Sequence, residues 1–127
     1  MRNGYNRTFI AEPGYVRAIL INRQTAEETG EFLRAVAAEC IGLRCYHLLI
    51  SGRSSRPIFR AEKYGFSSFV ETALKHSGKI AVLADSAELR IAHEYAVMLA
   101  RLRGVNARVF RDDRAAVAWL EADPPMN

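Results

Sequence analysis

Apolar residues recur along this chain in two rhythms, one near period two and one near three and a half. Tyr5 to Ala11 fits a strand and ends in the turn Glu12-Pro13-Gly14. Tyr15 to Asn22, with Val16, Ile19 and Ile21, fits a second strand. Two strands joined by a short Pro-Gly turn predict an antiparallel hairpin. Thr25-Ala26-Glu27-Glu28 then has the form of a capping box, in which Thr25 caps and Glu28 reaches back. The helix it opens places Phe32, Leu33, Val36, Ala37 and Cys40 on one stripe, with Glu27, Glu31 and Arg34 on the wet face. Gly42 is its expected stop.

Tyr46 to Ser51 predicts a strand whose Leu48-Leu49-Ile50 run suits burial on both faces. A polar loop, Gly52-Arg53-Ser54-Ser55-Arg56-Pro57, leads to a second helix over about Glu62 to His76, with Phe66, Phe69, Val70 and Ala73 inward and Tyr64-Gly65 weakening its first turn. Lys79 to Ala84 is another buried-type strand. Asp85-Ser86 caps a long helix to Arg103, closed by Gly104, with an expected inner stripe of Ala92, Tyr95, Ala96, Leu99 and Leu102. Val105 to Phe110 is the last strand. Asp112 or Asp113 caps a final helix carrying Val117, Trp119 and Leu120, and the tail from Asp123 should fray.

The predicted order is β-β-α-β-α-β-α-β-α, with no repeat, linker or low-complexity tract. Strands alternating with helices imply an α/β fold: a mostly parallel sheet with one N-terminal antiparallel strand and helices packed on it. One domain over residues 5–122 is expected, with 123–127 as its tail.

Composition adds little that is specific. Half of the 127 residues are hydrophobic and a quarter are charged, which is ordinary globular usage. No signal peptide or membrane span is evident, so a cytoplasmic, bacterial-type location is the default expectation. The formal charge is +4, and fifteen of the eighteen basic residues are Arg. They are scattered, with Arg53, Arg56 and Arg60 the nearest approach to a cluster, which argues against nucleic acid as a partner. Cys40 and Cys45 are too few for a metal site and fit the pattern of small core residues. No cofactor is indicated.

In parallel sheets, ligands collect beyond the carboxyl ends of the strands, near helix N-termini. That rule selects Ser51, Gly52, Arg53, Ser54, Ser55 and Arg56 after the third strand, Asp85 and Ser86 after the fourth, and Arg111 to Asp113 after the fifth. Glycine, hydroxyls and two Arg suit a phosphate or carboxylate, and Ser54 and Ser55 are candidate phosphorylation sites. Asp85-Ser86 is first of all a helix cap. Of the histidines, His47 falls in a strand and His76 at a helix end. His93-Glu94 lies within a helix but without H-E-x-x-H, since Val97 stands where the second His would be. The strings G-x-S-x-G, G-x-x-x-x-G-K-[ST] and G-x-G-x-x-G are absent, so no catalytic residue is nominated.

Several local strings, together with the element order, resemble the small STAS-like proteins (sulfate transporter and anti-sigma factor antagonist), and most of all short bacterial members of unassigned function. The strings are Thr25-Ala26-Glu27-Glu28, Ile80-Ala81-Val82-Leu83-Ala84-Asp85 followed by Ser86-Ala87-Glu88-Leu89-Arg90, Arg103-Gly104-Val105, Arg108-Val109-Phe110-Arg111-Asp112 and Ala118-Trp119-Leu120. The likeness runs from about Gly14 to Glu121. It implies a non-catalytic regulatory module with a protein partner, in some members switched by phosphorylation within Asp-Ser-Ser-Gly or Asp-Thr-Ser-Gly. This chain lacks that string, and Ser54 and Ser55 are only the best-placed serines. The alternative expectation is a small anion- or metabolite-binding domain using Arg53, Ser54 and Ser55 with Asp85-Ser86 opposite. An edge position for the first strand would invite a homodimer.

Overall fold

The computed structural model describes residues 4–58 and 65–122. The expected helix start at Glu62, Arg60 and the tail 123–127 lie outside the described residues. Elsewhere the element order matches the sequence reading: β1 (Asn6–Glu12), β2 (Tyr15–Ile21), α1 (Ala26–Leu43), β3 (Leu48–Arg53), α2 (Phe66–His76), β4 (Lys79–Ala84), α3 (Ala87–Leu102), β5 (Asn106–Val109) and α4 (Asp113–Glu121). The five strands stand in sequential order, β1 antiparallel to β2 and every other neighbour parallel. Stepping one strand at a time in one direction puts right-handed crossover helices on the same face.

That face holds the main core. Val16, Ala18 and Leu20 of β2 meet Leu48 and Ile50 of β3 and Ile80 and Val82 of β4 there, covered by Phe32 and Val36 of α1 and Val70 of α2. The opposite face is thinner: Tyr15, Leu49 and Ala81 pack against Ala116 and Leu120 of α4. The Leu48-Leu49-Ile50 run thus serves both faces by simple alternation.

Local chemistry sets the helix ends. Thr25 accepts from Glu28 N at 3.1 Å while Glu28 Oε1 accepts from Thr25 N at 3.3 Å, completing the capping box. Asp112, not Asp113, caps α4 by accepting from Ala115 N at 2.8 Å. Asp113 turns instead to Arg17, which also reaches Glu12 and Tyr15. Lys79 Nζ donates to the carbonyls of Trp119 and Ala122, closing the other end of α4.

Four expectations are corrected. Gly42 does not stop α1. The helix runs on to Leu43, and Arg44 takes the left-handed turn at φ 52°, its N–H donating to Cys40 and Ile41 carbonyls. β3 begins at Leu48 rather than Tyr46, because Tyr46 is taken up by a ring stack on His76 at 3.7 Å and His47 by the Lys79 N–H. The same strand claims Gly52 and Arg53, expected in the loop, through pairing with Leu20 and Ile21. Finally, the α3 stripe is corrected in part: Ala92 is buried and Ala96 and Leu99 pack against the core as expected, whereas Tyr95 and Leu102 face outward and Leu89 and Ala100 are buried instead. Small alanines let this helix approach the sheet closely, and that preference overrides the larger side chains on its far side.

Candidate functional site

The strand alternation divides the residues nominated at the carboxyl rim. Leu49 faces α4, so Ser51 and Arg53 do too, while Gly52 faces the helical layer of α1, α2 and α3. Ser51 is only 6% exposed, and its hydroxyl accepts from Arg53 Nε at 3.4 Å. Ser54, at φ 47°, donates its backbone N–H to Asp85 Oδ2 at 2.9 Å, which ties the β3 loop to the β4 loop. Ser55 spends its hydroxyl internally, donating to Arg53 O at 2.9 Å and accepting from Arg23 N at 3.1 Å. Ser86 caps α3 by accepting from Leu89 N at 3.1 Å. Arg111 is exposed in the segment between β5 and α4.

The helical side of the rim holds two residues that were not nominated. Arg23 lies two residues past the end of β2 and is only 4% exposed. Its Nη1 donates to Thr29 Oγ1 at 3.1 Å and its Nη2 to the Arg56 carbonyl, stapling the β2 loop to the β3 loop. The backbone repeats the staple: Asn22 N donates to Arg53 O at 3.0 Å and Arg56 N to Arg23 O at 2.9 Å. Among the described residues, Arg23 Nε is buried with no partner, and no carboxylate is bonded to the guanidinium. Burial pulls its pKa down, opposed by the more distant charge of Glu28. A guanidinium stays protonated in proteins, so it carries a positive charge in low dielectric with no described carboxylate bonded to it.

His93 of α3 is the second. Its Nδ1 is buried and unpartnered. Burial, then the Arg23 charge, pulls its pKa down to about 4, with Asp85 pulling the other way. The ring is therefore neutral near pH 7 and offers one donor and one acceptor nitrogen. It packs against Gly52 of β3, where a Cβ would stand 2.8 Å from His93 Cε1 and 3.1 Å from Leu89 Cδ2. Gly52 is thus the residue that lets the imidazole in.

Both side chains line a cavity of about 100 Å³ between the sheet and α1, α2 and α3. Apart from Arg23, Thr29 and His93, every residue lining it is apolar, including Phe32, Phe66, Phe69 and Val97. A cation, a hydroxyl and a neutral imidazole at one end of a greasy space form a concave site with few, convergent polar groups. Chemically it can hold an anion by charge and hydrogen bonds and shelter an apolar body behind it. Gly52 and Asp85, from the sequence-nominated set, take part as a spacer and as a neighbouring charge. Ser51, Arg53 and Arg111 do not reach it.

Among the described residues, no group of three or more His, Cys, Asp or Glu is placed to hold a metal ion. No described helix is long and apolar enough to cross a membrane. Cys40 is buried, which pushes its thiol up to about 11, and neither it nor Cys45 is in a disulfide. No family model, curated protein or solved structure matches the chain.

Proposed function

We propose that this chain is a non-catalytic binding domain of STAS-like type whose cavity takes a small organic anion, a monocarboxylate with a compact apolar body. The observation that carries this reading is the buried Arg23 guanidinium, with an unanswered Nε–H, at the head of an apolar cavity. A buried charge without a counter-charge costs several kcal/mol. A carboxylate beside it removes that cost and brings charge-assisted hydrogen bonds. His93 Nδ1, carrying the imidazole proton, supplies a second donor.

Volume narrows the ligand. An apolar cavity of about 150 Å³ can hold a benzene ring, and this one is about 100 Å³. The apolar body is therefore a short branched acyl chain or at most a single ring. Occupancy acts on the loop from Arg53 to Arg56, since Arg23 holds that loop through the Arg56 carbonyl. A regulatory partner would read the ligand there, which joins the binding reading to the interaction module that the STAS-like resemblance implies.

Thermal-shift titration with branched and aromatic monocarboxylates, their neutral amides and inorganic phosphate tests the proposal. The acids should stabilise the domain, by ~2.7 kcal/mol at about 100 times Kd, and the amides should not. Arg23→Met should weaken binding by about tenfold to a hundredfold, the value of a charge-assisted hydrogen bond. A flat panel, or unchanged affinity in Arg23→Met, would refute it.

A further inference from the structure

Helix α1 ends in a turn that brings the chain's two cysteines together. Arg44 is left-handed at φ 52°, and its N–H donates to Ile41 O at 3.2 Å. The next N–H, that of Cys45, donates to Cys40 O at 3.1 Å. A 5→2 and a 6→1 bond around one left-handed residue make a Schellman motif, in which the side chains at the two ends of the 6→1 bond pack on each other. Those ends are Cys40 and Cys45.

Packing agrees with the backbone. Cys40 is 5% exposed inside the main core, and the half-buried Cys45 packs against the same cluster. The two thiols also feel each other: burial first, then Cys45, raises the Cys40 pKa. The bond from Cys45 N to Cys40 O limits the separation of their Cα atoms to about 7 Å, even with every link collinear. The bent geometry of a hydrogen bond at a carbonyl brings that separation within the span of about 4.4–6.8 Å that a disulfide bridges.

We infer that Cys40 and Cys45 are a dithiol site that closes to an intramolecular disulfide by exchange with a small-molecule disulfide. Cys45 is the entry point, because it is the thiol that solvent reaches. Its thiolate attacks one sulfur of the small disulfide, breaks that S–S bond and releases one thiolate, which takes up the proton that Cys45 lost. Cys40 then gives up its own proton and attacks the Cys45 sulfur of the mixed disulfide, and the second small thiol leaves with that proton. Two protein thiols are oxidised while one small disulfide is reduced to two thiols. The exchange gives up one weak contact, from Cys45 Sγ–H to the His47 carbonyl at 3.9 Å. Closure ties the end of α1 to the entry of β3, on the rim opposite Arg23, so it is independent of the carboxylate reading.

Equilibration of the full chain in glutathione buffers of graded ratio, followed by acid quenching, alkylation and intact mass spectrometry, tests this. Oxidised wild type should lose two hydrogen masses, refuse alkylation at both cysteines and regain both thiols on reduction with dithiothreitol. Cys40→Ser should stop at a glutathione adduct on Cys45, whereas Cys45→Ser should react at least about tenfold more slowly. The effective concentration of the pair should be at least about tenfold higher in the folded chain than in urea, because the turn, beyond mere nearness in sequence, presents the thiols to each other. A wild type that ends at the Cys45 adduct, or as a disulfide-linked dimer, overturns the inference, as does an effective concentration that urea leaves unchanged. Equal reactivity of Cys45→Ser overturns Cys45 as the entry point.

Discussion

Acidification from near pH 7 to about pH 4 should remove about 3 kcal/mol of stability through His93 alone. In the unfolded chain this histidine titrates near its ordinary 6.5, whereas burial and the Arg23 charge hold it at about 4 in the folded state. Between those values the unfolded chain binds a proton that the folded chain refuses. Folding is therefore fully favoured above pH 6.5 and is progressively undermined as pH falls toward 4. His47 contributes with the same sign, since burial, then Lys79, lowers its pKa, and its Nδ1 is committed to the Lys79 N–H. The paired carboxylates Glu31 and Asp113 are held below their ordinary values, so their loss falls lower in the scale. Urea unfolding across this range should show the decline in wild type and a much shallower one in His93→Gln. An equally steep decline in the variant would show that the imidazole titrates near its free value.

A loss of this size is large against the 5–15 kcal/mol that holds a domain together. The loss appears only on acidification, because near pH 7 the ring is neutral in the folded and the unfolded chain alike. What distinguishes His93 from an apolar side chain of similar volume at neutral pH is its buried, unpartnered Nδ1.

The architecture was readable because each element carries two agreeing signals. α1 has its capping box and its apolar stripe, and β3 has a run too apolar for a one-sided strand. The site was less readable, and the two missed residues show why. Arg23 is two residues past a strand, where an arginine ordinarily meets water. What buries it is Ser55 and Arg56, more than thirty residues later, and no local pattern announces that closure. His93 did leave a trace: Leu89, His93, Ala96 and Ala100 follow helical spacing, so a histidine stands on the stripe that faces the sheet. The trace was hidden because the large residues Tyr95 and Leu102 suggested a different inner face. Hydrophobic size alone sets the phase of a helix wrongly when the face toward the sheet is built from small residues such as Ala92 and Ala100.

Gly78→Ala should cost about 3 kcal/mol or more, a large effect for a single methyl group. Gly78 is buried at the entry to β4, and a Cβ there would be driven into the Tyr46 carbonyl, well inside contact distance. Backbone cannot swing aside as a side-chain tip can. Tyr46 is fixed by its stack on His76, and the next residue by the bond from Lys79 N to His47 Nδ1 at 3.0 Å. Gly104→Ala is the instructive contrast. Its φ of +99° strains any L side chain, yet an added Cβ meets only Leu74 Cδ2 at 3.4 Å, so the cost is the conformational one of about 1–2 kcal/mol. Chemical denaturation of the two variants should rank them in that order, and a Gly78→Ala protein within about 1 kcal/mol of wild type would show that the β3 and β4 entries yield. Gly78 lies at the amino ends of the parallel strands, while Arg23, Gly52 and His93 lie at the carboxyl ends. The folded fraction of Gly78→Ala should therefore bind carboxylates with wild-type affinity, because this fold places its tightest backbone contact and its ligand cavity on opposite rims of one sheet.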